Sequence, residues 1–241
     1  MKLKIFIVFS CLLFLTCRKD PPLPIHECVD VADIPTFNDT IYNTPCFNPN
    51  NSNEIIYVQG IQSIHKSNLV KQNLSTGHKT YIISDIWQKP DWSVKDWIVF
   101  NHADNQVWKI KTNGDSLQQL TSQGGLEAIW DKTGNKIAYW TETGIGQTNT
   151  YYTFITDISG NIMDTLFEPF LTHHGSWSYD NTKIASYCYI IDVGYIDLST
   201  KQMTKITSNS PDNGGQARDV IRDIDWMPDS QNVVWCNGFG I

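Results

Sequence analysis

The stretch Trp130-Asp-Lys-Thr-Gly-Asn-Lys-Ile-Ala-Tyr139 decides the fold, because the chain repeats it in related forms. Similar phrases begin at Trp92, Trp177 and Trp226, so that successive tryptophans are 38, 47 and 49 residues apart. Each phrase holds a tryptophan, a turn rich in Asp, Asn, Gly, Lys or Ser, and then a run of strand-forming residues. A period of this size with strand-forming content is typical of a repeated small sheet.

A second pair of strands follows each tryptophan phrase. Residues 194–198 and 203–207, for example, alternate apolar and polar side chains around a turn at 199–201, which indicates a half-buried hairpin. A weaker copy comes first, with Phe47 in place of the tryptophan. The chain therefore holds four whole units and the opening of a fifth, and these units are assigned to residues 47–85, 86–121, 122–170, 171–208 and from Val220 onward.

The repeats predict an all-β β-propeller with four-stranded blades, four of them complete and the fifth incomplete. One four-stranded unit cannot bury both faces of its sheet, whereas neighbours packed face to face around an axis can. We expect each tryptophan to end the innermost strand of its blade and to pack between adjacent blades. A β-sandwich with scattered aromatic residues is the alternative, and the regular order of tryptophan, turn and strands favours the propeller.

The fifth unit stops soon after its second strand, at Ile241. Either the N-terminal segment 26–46, with a strand near residues 40–42, supplies missing strands and closes the ring, or the ring is open. An unpaired strand edge invites aggregation, which favours closure.

The tryptophan phrase resembles the WD-like repeat of the TolB family, which runs Trp-Ser-Pro-Asp-Gly-Lys-x-Ile-Ala-Phe and closes on Leu-Thr. The phrases at Trp130 and Trp177 match it well, and the phrase at Trp226 keeps Pro228-Asp229. The phrase at Trp92 has neither the proline nor the glycine. The resemblance covers about residues 47–241 and implies a TolB-like propeller. It is specific for fold rather than function, because the repeated residues are packing and turn residues.

Residues 1–16 are predicted to be a lipoprotein signal peptide. Lys2 and Lys4 form its positive start, and residues 5–15 form an apolar run too short to span a bilayer. Phe14-Leu-Thr-Cys17 resembles a loose lipobox, in which Cys17 becomes the lipidated first residue. Ordinary secretion and lipidation at Cys11 are the alternatives. Residues 17–46 then contain the lipidated cysteine, a proline-rich spacer and the possible closing strand.

Four further cysteines follow the leader. Cys28 and Cys46 flank a stretch without repeats, and an exported protein can keep disulfides, so these two are candidates for a disulfide. Cys188 and Cys236 fall in or next to strands and are interpreted as small buried residues. The sequence has no Cys-x-x-Cys, so the cysteines indicate neither zinc nor redox chemistry.

Charge and motifs narrow the function classes. The net charge is −7, and it becomes −9 without the leader, which argues against a nucleic-acid partner. The chain contains no Gly-x-Ser-x-Gly elbow, no phosphate-binding loop and no His-Glu-x-x-His. We therefore expect a protein without catalytic residues, resident metal or cofactor.

Residues just before each tryptophan should face the central channel of a propeller. Asp91 is one such residue, and the candidate binding residues there are Glu127, His173, His174, Asp223 and Asp225. Adjacent strand residues point to opposite faces, so only one of the two histidines can face the channel. Such polar residues can simply solvate a wet channel, and Asp223 and Asp225 can instead cap turns or pair with Arg222 and Arg218. Histidines with carboxylates can also bind a divalent metal.

The sequence thus predicts a non-catalytic envelope lipoprotein, lipid-anchored to the outer membrane on its periplasmic or cell-surface side. Its propeller would be a platform that binds an envelope protein or a glycan, since the resemblance implies a family in which TolB acts through protein partners. Some TolB-like propellers are polysaccharide lyases with channel histidines and a metal. A channel-sited polysaccharide lyase or hydrolase is therefore the alternative.

Overall fold

Five antiparallel sheets form the structure, and each is a meander of strands that follow one another in the chain. The computed structural model describes residues 40–61, 66–87, 89–143, 150–167, 175–188, 192–207 and 220–238. The first sheet contains β1 (Thr40–Asn48), β2 (Asn51–Ile61), β3 (Lys66–Asn73) and β4 (Lys79–Ser84). The second contains β5 (Asp91–Trp92), β6 (Trp97–Asn101), β7 (Val107–Lys111) and β8 (Gln118–Gln119).

The remaining sheets repeat this order. The third sheet contains β9 (Leu126–Trp130), β10 (Lys136–Thr143), β11 (Thr150–Asp157) and β12 (Ile162–Phe167). The fourth contains β13 (Ser176–Trp177), β14 (Lys183–Cys188), β15 (Asp192–Asp197) and β16 (Met203–Lys205), and the fifth contains β17 (Val220–Trp226) and β18 (Val233–Gly238). The predicted all-β fold of four-stranded units with a shorter fifth is confirmed. Among the described residues, no helix is long and apolar enough to cross a membrane.

Apolar layers, which we call the seams, join each sheet to the next. The first seam contains Ile56, Val58, Leu69, Ile86, Trp92, Ile98, Phe100 and Ile110. The second contains Val99, Val107, Ala128, Trp130, Ile137 and Tyr139. The third contains Ile129, Ala138, Ile155, Leu166, Trp177, Ile184 and Ile196. The fourth contains Ala185, Val193, Ile224 and Trp226.

Each seam holds one tryptophan of the repeated phrase. The tryptophan ends the first strand of its sheet and packs toward the preceding sheet, as the sequence predicts. The four side chains are between 1% and 4% exposed. A tryptophan buried in this way removes about 200 Å² from water, which stabilises the fold by about 5 kcal/mol before conformational entropy is subtracted.

Strand alternation explains how one strand serves two seams. Ile129 and Trp130 are adjacent in β9, and they lie in the third and the second seam, respectively. In β10, Ala138 lies in the third seam while Ile137 and Tyr139 lie in the second. Because successive side chains of a strand point to opposite faces, a sheet between two neighbours needs apolar residues at almost every position.

The turn of the tryptophan phrase uses a left-handed residue four positions after the tryptophan. Its N–H donates to the carbonyl of the residue three positions earlier, at 3.0 to 3.2 Å. Glycine adopts this backbone conformation without strain, and Asp and Asn tolerate it better than most residues do. This requirement accounts for the glycine of the family pattern. The φ angles are 58° at Asp96, 66° at Gly134, 58° at Asn181 and 55° at Ser230.

Hydrogen bonds link the turn of each sheet to the turn of the next, at one end of the sheets. The Lys132 N–H, for example, donates to Asn181 Oδ1 at 2.8 Å, and the Asp180 N–H donates to Ser230 Oγ at 3.0 Å. The other links run from Asn50 to Val94 and from Lys95 to Asn135. The same turn therefore fixes both the local chain reversal and the position of its neighbour.

The first strand of the first sheet begins earlier than the boundary at residue 47 predicts. Strand β1 pairs with β2 from Thr40 to Asn48, so residues 40–46 complete the first sheet and give no strand to the fifth. The part of the closing hypothesis that rests on residues 26–39 lies outside the described residues. In the part of the chain that the structure describes, the fifth sheet consists of β17 and β18.

Candidate functional site

A cavity of about 530 Å³ lies where the first strands of all five sheets meet, and we call it the axial cavity. These strands also contact one another in chain order, β1 with β5, β5 with β9, β9 with β13 and β13 with β17. In every sheet, the residue directly before the aromatic residue of the repeated phrase, which is Phe47 in the first sheet and tryptophan in the others, lines the cavity. The five residues are Cys46, Asp91, Ile129, Ser176 and Asp225.

Asp91 ties the second sheet to its neighbours on the cavity wall. Its Oδ2 accepts the N–H of Trp130 at 2.6 Å, and its Oδ1 accepts the N–H of Trp92 at 3.1 Å. The Cys46 thiol donates to the same Oδ1 at 3.6 Å. Burial raises the pKa of Asp91, against the opposing effects of the Trp130 N–H and the charge of Lys132. Burial also raises the pKa of the Cys46 thiol, which keeps it a protonated donor.

Lys89 and Asp223 form an ion pair between residues 134 positions apart in the chain. The Lys89 Nζ lies 2.5 Å from Asp223 Oδ1. Burial lowers the pKa of Lys89, but the charge and hydrogen bond of Asp223 outweigh it, so the pKa is raised and the ammonium stays charged. The pair connects the segment before β5 with β17 and so brings the second and fifth sheets together at the cavity.

Asp225 makes a comparable connection from β17 to the third and fourth sheets. Its Oδ1 accepts the Ser176 hydroxyl at 2.5 Å and lies 3.6 Å from the Lys132 Nζ. The Lys132 ammonium also lies 4.8 Å from the centre of the Tyr179 ring. A carboxylate and an aromatic face therefore hold one ammonium at the rim of the cavity.

In both ion pairs the aspartate of β17 is more exposed to solvent than its lysine partner. The side chains of Asp223 and Asp225 are 55% and 59% exposed, whereas those of Lys89 and Lys132 are 23% and 31% exposed. The carboxylates are therefore more accessible to solvent than the ammonium groups with which they pair.

The structure separates the sequence-predicted channel residues into three groups. Asp91, Asp223 and Asp225 line the axial cavity. Glu127 does not; it is 7% exposed and has a φ of 48°. It lies where the pairing of β9 with β10 is irregular, and such a bulge breaks the alternation that the prediction assumed. His173 and His174 lie outside the described residues.

Most of the predictions about the N-terminal cysteines concern residues that the structure does not describe. Cys17 and Cys28 lie outside the described residues, so the lipid anchor and the pairing of Cys28 with Cys46 stay predictions. Cys46 itself is described, with its thiol facing Asp91. Within the described ranges, no group of three or more His, Cys, Asp or Glu side chains is placed so that it could hold a metal ion.

Sequence reasoning missed several lining residues. Ser176 occupies the same position before its tryptophan as Asp91 and Asp225, so an alignment of the repeats on this position would have found it. Lys89 lies two residues before Asp91, on the same side of an extended chain. Lys132 and Tyr179 lie in the turns after Trp130 and Trp177, and no local pattern marks them.

No known protein-family model matches the chain, and no curated protein matches its sequence. Solved structures match its fold. TolB from Acinetobacter baumannii is 20% identical with a TM-score of 0.62, and the match covers 83% of this chain and 50% of TolB. The chain thus spans about half the length of that relative.

Two other structures extend the comparison. An oligogalacturonate lyase from Vibrio parahaemolyticus is 13% identical with a TM-score of 0.62, over 83% of this chain and 63% of the lyase. A chain of the nidogen–laminin complex is 8% identical with a TM-score of 0.60, over 83% of this chain and 73% of that one. At these identities the likeness concerns the fold alone, and the fold is that of a β-propeller.

Proposed function

We propose that this β-propeller is a non-catalytic binding platform of the bacterial cell envelope, and that its axial cavity receives part of an envelope protein or a glycan. The leader and Cys17 support an outer-membrane lipid anchor, and the proline-rich spacer predicted from the sequence follows it. The side of the membrane on which the domain is displayed does not affect the proposal.

One observation carries the proposal. The axial cavity combines polar groups that brace the sheets with two aspartates that remain more than half exposed. A volume of about 530 Å³ lies within the range of small-molecule sites and would take a few side chains or one or two sugar units. The walls belong to five sheets fixed by dry seams, so little conformational freedom would be lost on binding.

Site-specific photo-crosslinking in cells of the source bacterium tests the proposal. A photoreactive phenylalanine analogue at Tyr179, which lines the cavity and is 46% exposed, should crosslink to a discrete envelope protein or glycan. The same analogue at Tyr81, which is 62% exposed on β4 and is not part of the cavity lining, is the matched control. Identical products at both positions, or none at Tyr179, would contradict the proposal.

Labelled palmitate tests the anchor separately. Incorporation into the full chain should be lost when Cys17→Ser is introduced and kept when Cys11→Ser is introduced. Label that survives Cys17→Ser would exclude this anchoring site without affecting the binding proposal.

The state of Asp91 favours a catalytic alternative, a channel-sited polysaccharide lyase or hydrolase. A carboxyl group whose pKa is raised by burial in a cleft is a candidate for proton transfer. Both of its oxygens already accept backbone N–H groups, however, which favours a bracing role. Release of reducing ends from polysaccharides by the purified protein, lost in Asp91→Asn, would establish the alternative. A protein inactive on uronate-containing and neutral polysaccharides would count against it.

A further inference from the structure

We propose that the axial cavity receives an extended protein segment with lysine or arginine at alternate positions. This inference rests on the proposed binding function and names the chemistry of its ligand. Six charged residues line the cavity, namely Lys89, Asp91, Asp131, Lys132, Asp223 and Asp225. Four of them are acidic, so the lining attracts cations if none of the groups is otherwise engaged.

Two of the four carboxylates accept hydrogen bonds from the fold on both oxygens, whereas Asp223 and Asp225 accept them on Oδ1. Asp91 accepts the N–H groups of Trp92 and Trp130. Asp131 is 5% exposed and its Oδ1 accepts the N–H groups of Asn135 and Lys136 in its own turn. The charges that a ligand can reach are therefore those of the two lysine–aspartate pairs.

Exposure decides which half of each pair faces the ligand. Asp223 and Asp225 have more than half of their side-chain surface in solvent, and their lysine partners have less than a third. The Lys132 ammonium is 3.6 Å from Asp225, so this pair is loose enough for a second cation to share the carboxylate. The cavity therefore favours a cationic ligand over an anionic one.

The spacing of the aspartates favours an extended segment. In β17, Asp223 and Asp225 are exposed while Ile224 and Trp226 are buried, so the two carboxylates lie on one side of the strand. Residues two apart in an extended chain are separated by about 7 Å. A segment that runs along β17 with basic residues two positions apart matches this separation, and adjacent basic residues would point to opposite sides.

The rim of the cavity already demonstrates the required chemistry. The ammonium of Lys132 lies between the Asp225 carboxylate and the face of the Tyr179 ring. A carboxylate combined with an aromatic face recognises lysine and arginine side chains well. Because Tyr179 is 46% exposed, its ring has surface left for a cation of the partner.

Binding of synthetic peptides to the purified full chain tests the inference. The probe is a fluorescent Gly-Thr-Lys-Thr-Lys-Thr-Gly peptide, and the controls are the same composition with adjacent lysines and a version with glutamate in place of lysine. We expect binding that weakens as salt is raised, at least fivefold weaker binding of the adjacent-lysine peptide, and no binding of the glutamate peptide.

Variants locate the interaction. Asp223→Asn with Asp225→Asn should weaken binding at least tenfold. Asp164→Asn, which removes a carboxylate from a lysine–aspartate pair outside the cavity, should leave it within twofold. Lys132→Met should strengthen binding, because the carboxylate of Asp225 loses its internal competitor. Thermal unfolding of each variant verifies that the fold is retained.

Three outcomes would overturn the inference: no binding of the basic peptide, equal binding by the double variant, or preferential binding of the glutamate peptide or of a neutral oligosaccharide. The photo-crosslinking at Tyr179 separates the two proposals. A crosslinked partner together with no affinity for basic peptides would leave the binding platform standing and remove its cationic ligand.

Discussion

Two neighbouring positions on the same strand have different environments in this molecule. At the first strand of the second to fifth sheets, the same residue, tryptophan, enters a dry seam. The residue before it lines the axial cavity, and there the chain has Asp91, Ile129, Ser176 and Asp225. Of these, Ile129 also packs in the third seam. At every repeat the tryptophan must fill the same gap between two sheets. No such steric requirement acts on the side chains that line the cavity, so the residue before the tryptophan can vary and can contribute to function.

The hydrogen bonding of the tryptophans supports this distinction. Trp226 Nε1 donates to the Ser176 carbonyl at 3.0 Å. The Nε1 groups of Trp92, Trp130 and Trp177 are buried without a hydrogen-bond partner among the described residues. Since an unpaired buried N–H is unfavourable, tryptophan is retained at these positions for its volume and apolar area.

The largest expected effect comes from emptying a seam. Trp177→Ala removes a side chain that is 1% exposed in the third seam, and it should lower the free energy of unfolding by about 4 kcal/mol. Urea unfolding followed by circular dichroism measures the loss. Trp87→Ala, at a tryptophan that is 58% exposed, should change the same free energy by less than about 1 kcal/mol. Equal losses of unfolding free energy at the two sites would mean that burial in a seam does not explain the stabilising role of the tryptophans.

The next effect concerns the cavity wall. Asp91→Ala leaves the N–H groups of Trp92 and Trp130 without their acceptor, and should lower the free energy of unfolding by about 2 kcal/mol. Asp91→Asn keeps one acceptor oxygen and should lose less than half as much. If the alanine variant is as stable as the natural protein, Asp91 does not brace the sheets.

The difference in stability between the natural protein and the Asp91→Asn variant, measured as a function of pH, tests the protonation of Asp91. The pKa of Asp91 is raised in the folded protein, so protonation of this group favours folding. The resulting stabilisation is present below the unfolded pKa, about 3.9, and is lost as pH rises through the folded pKa. The natural protein should therefore lose stability relative to Asp91→Asn as pH increases above about 4. An opposite slope would mean that the wall lowers the pKa of this carboxyl group.

The smallest expected effect lies in the turns. Asp96 has a φ of 58°, so Asp96→Gly should raise the free energy of unfolding by about 0.5 kcal/mol and Asp96→Val should lower it by about 1 kcal/mol or more. Asp115→Gly, at an exposed turn residue outside the left-handed region, should lower it instead. Chemical denaturation of the three variants measures these differences. If Asp96→Gly and Asp115→Gly change stability in the same direction, the left-handed turn does not account for the repeat.

The architecture could be predicted because its signals are local. A tryptophan, a turn and an alternating strand lie within about ten residues of one another, and each has the same physical role in every copy. Even the weak copy at Phe47 lies at the end of a first strand, one residue before its last residue Asn48, although this ring is 59% exposed. The strand near residues 40–42 was predicted, but its place in the first sheet was missed, because the preference of a strand for one partner over another is not encoded locally.

The candidate site could be predicted only in part. Asp223 and Asp225 were found from their positions before a tryptophan, and their lysine partners were missed because Lys89 is 134 residues away from Asp223. Glu127 was predicted to face the cavity and does not line it, because the pairing of β9 with β10 is irregular at this point and no sequence pattern indicates the bulge. Long-range pairs and bulges are set by tertiary packing, and a single sequence records them weakly.

Zero-length carbodiimide crosslinking followed by peptide mapping tests the central claim most directly, because it joins an ammonium and a carboxylate that are already in contact. Sheets arranged around one axis predict an amide between Lys89 and Asp223, whose charged atoms lie 2.5 Å apart. The Lys201–Asp164 pair, which joins the neighbouring third and fourth sheets, provides the positive control. A product that contains the control link, while Lys89 is joined only to acidic residues near it in the chain, would contradict the axial arrangement and the cavity at its centre.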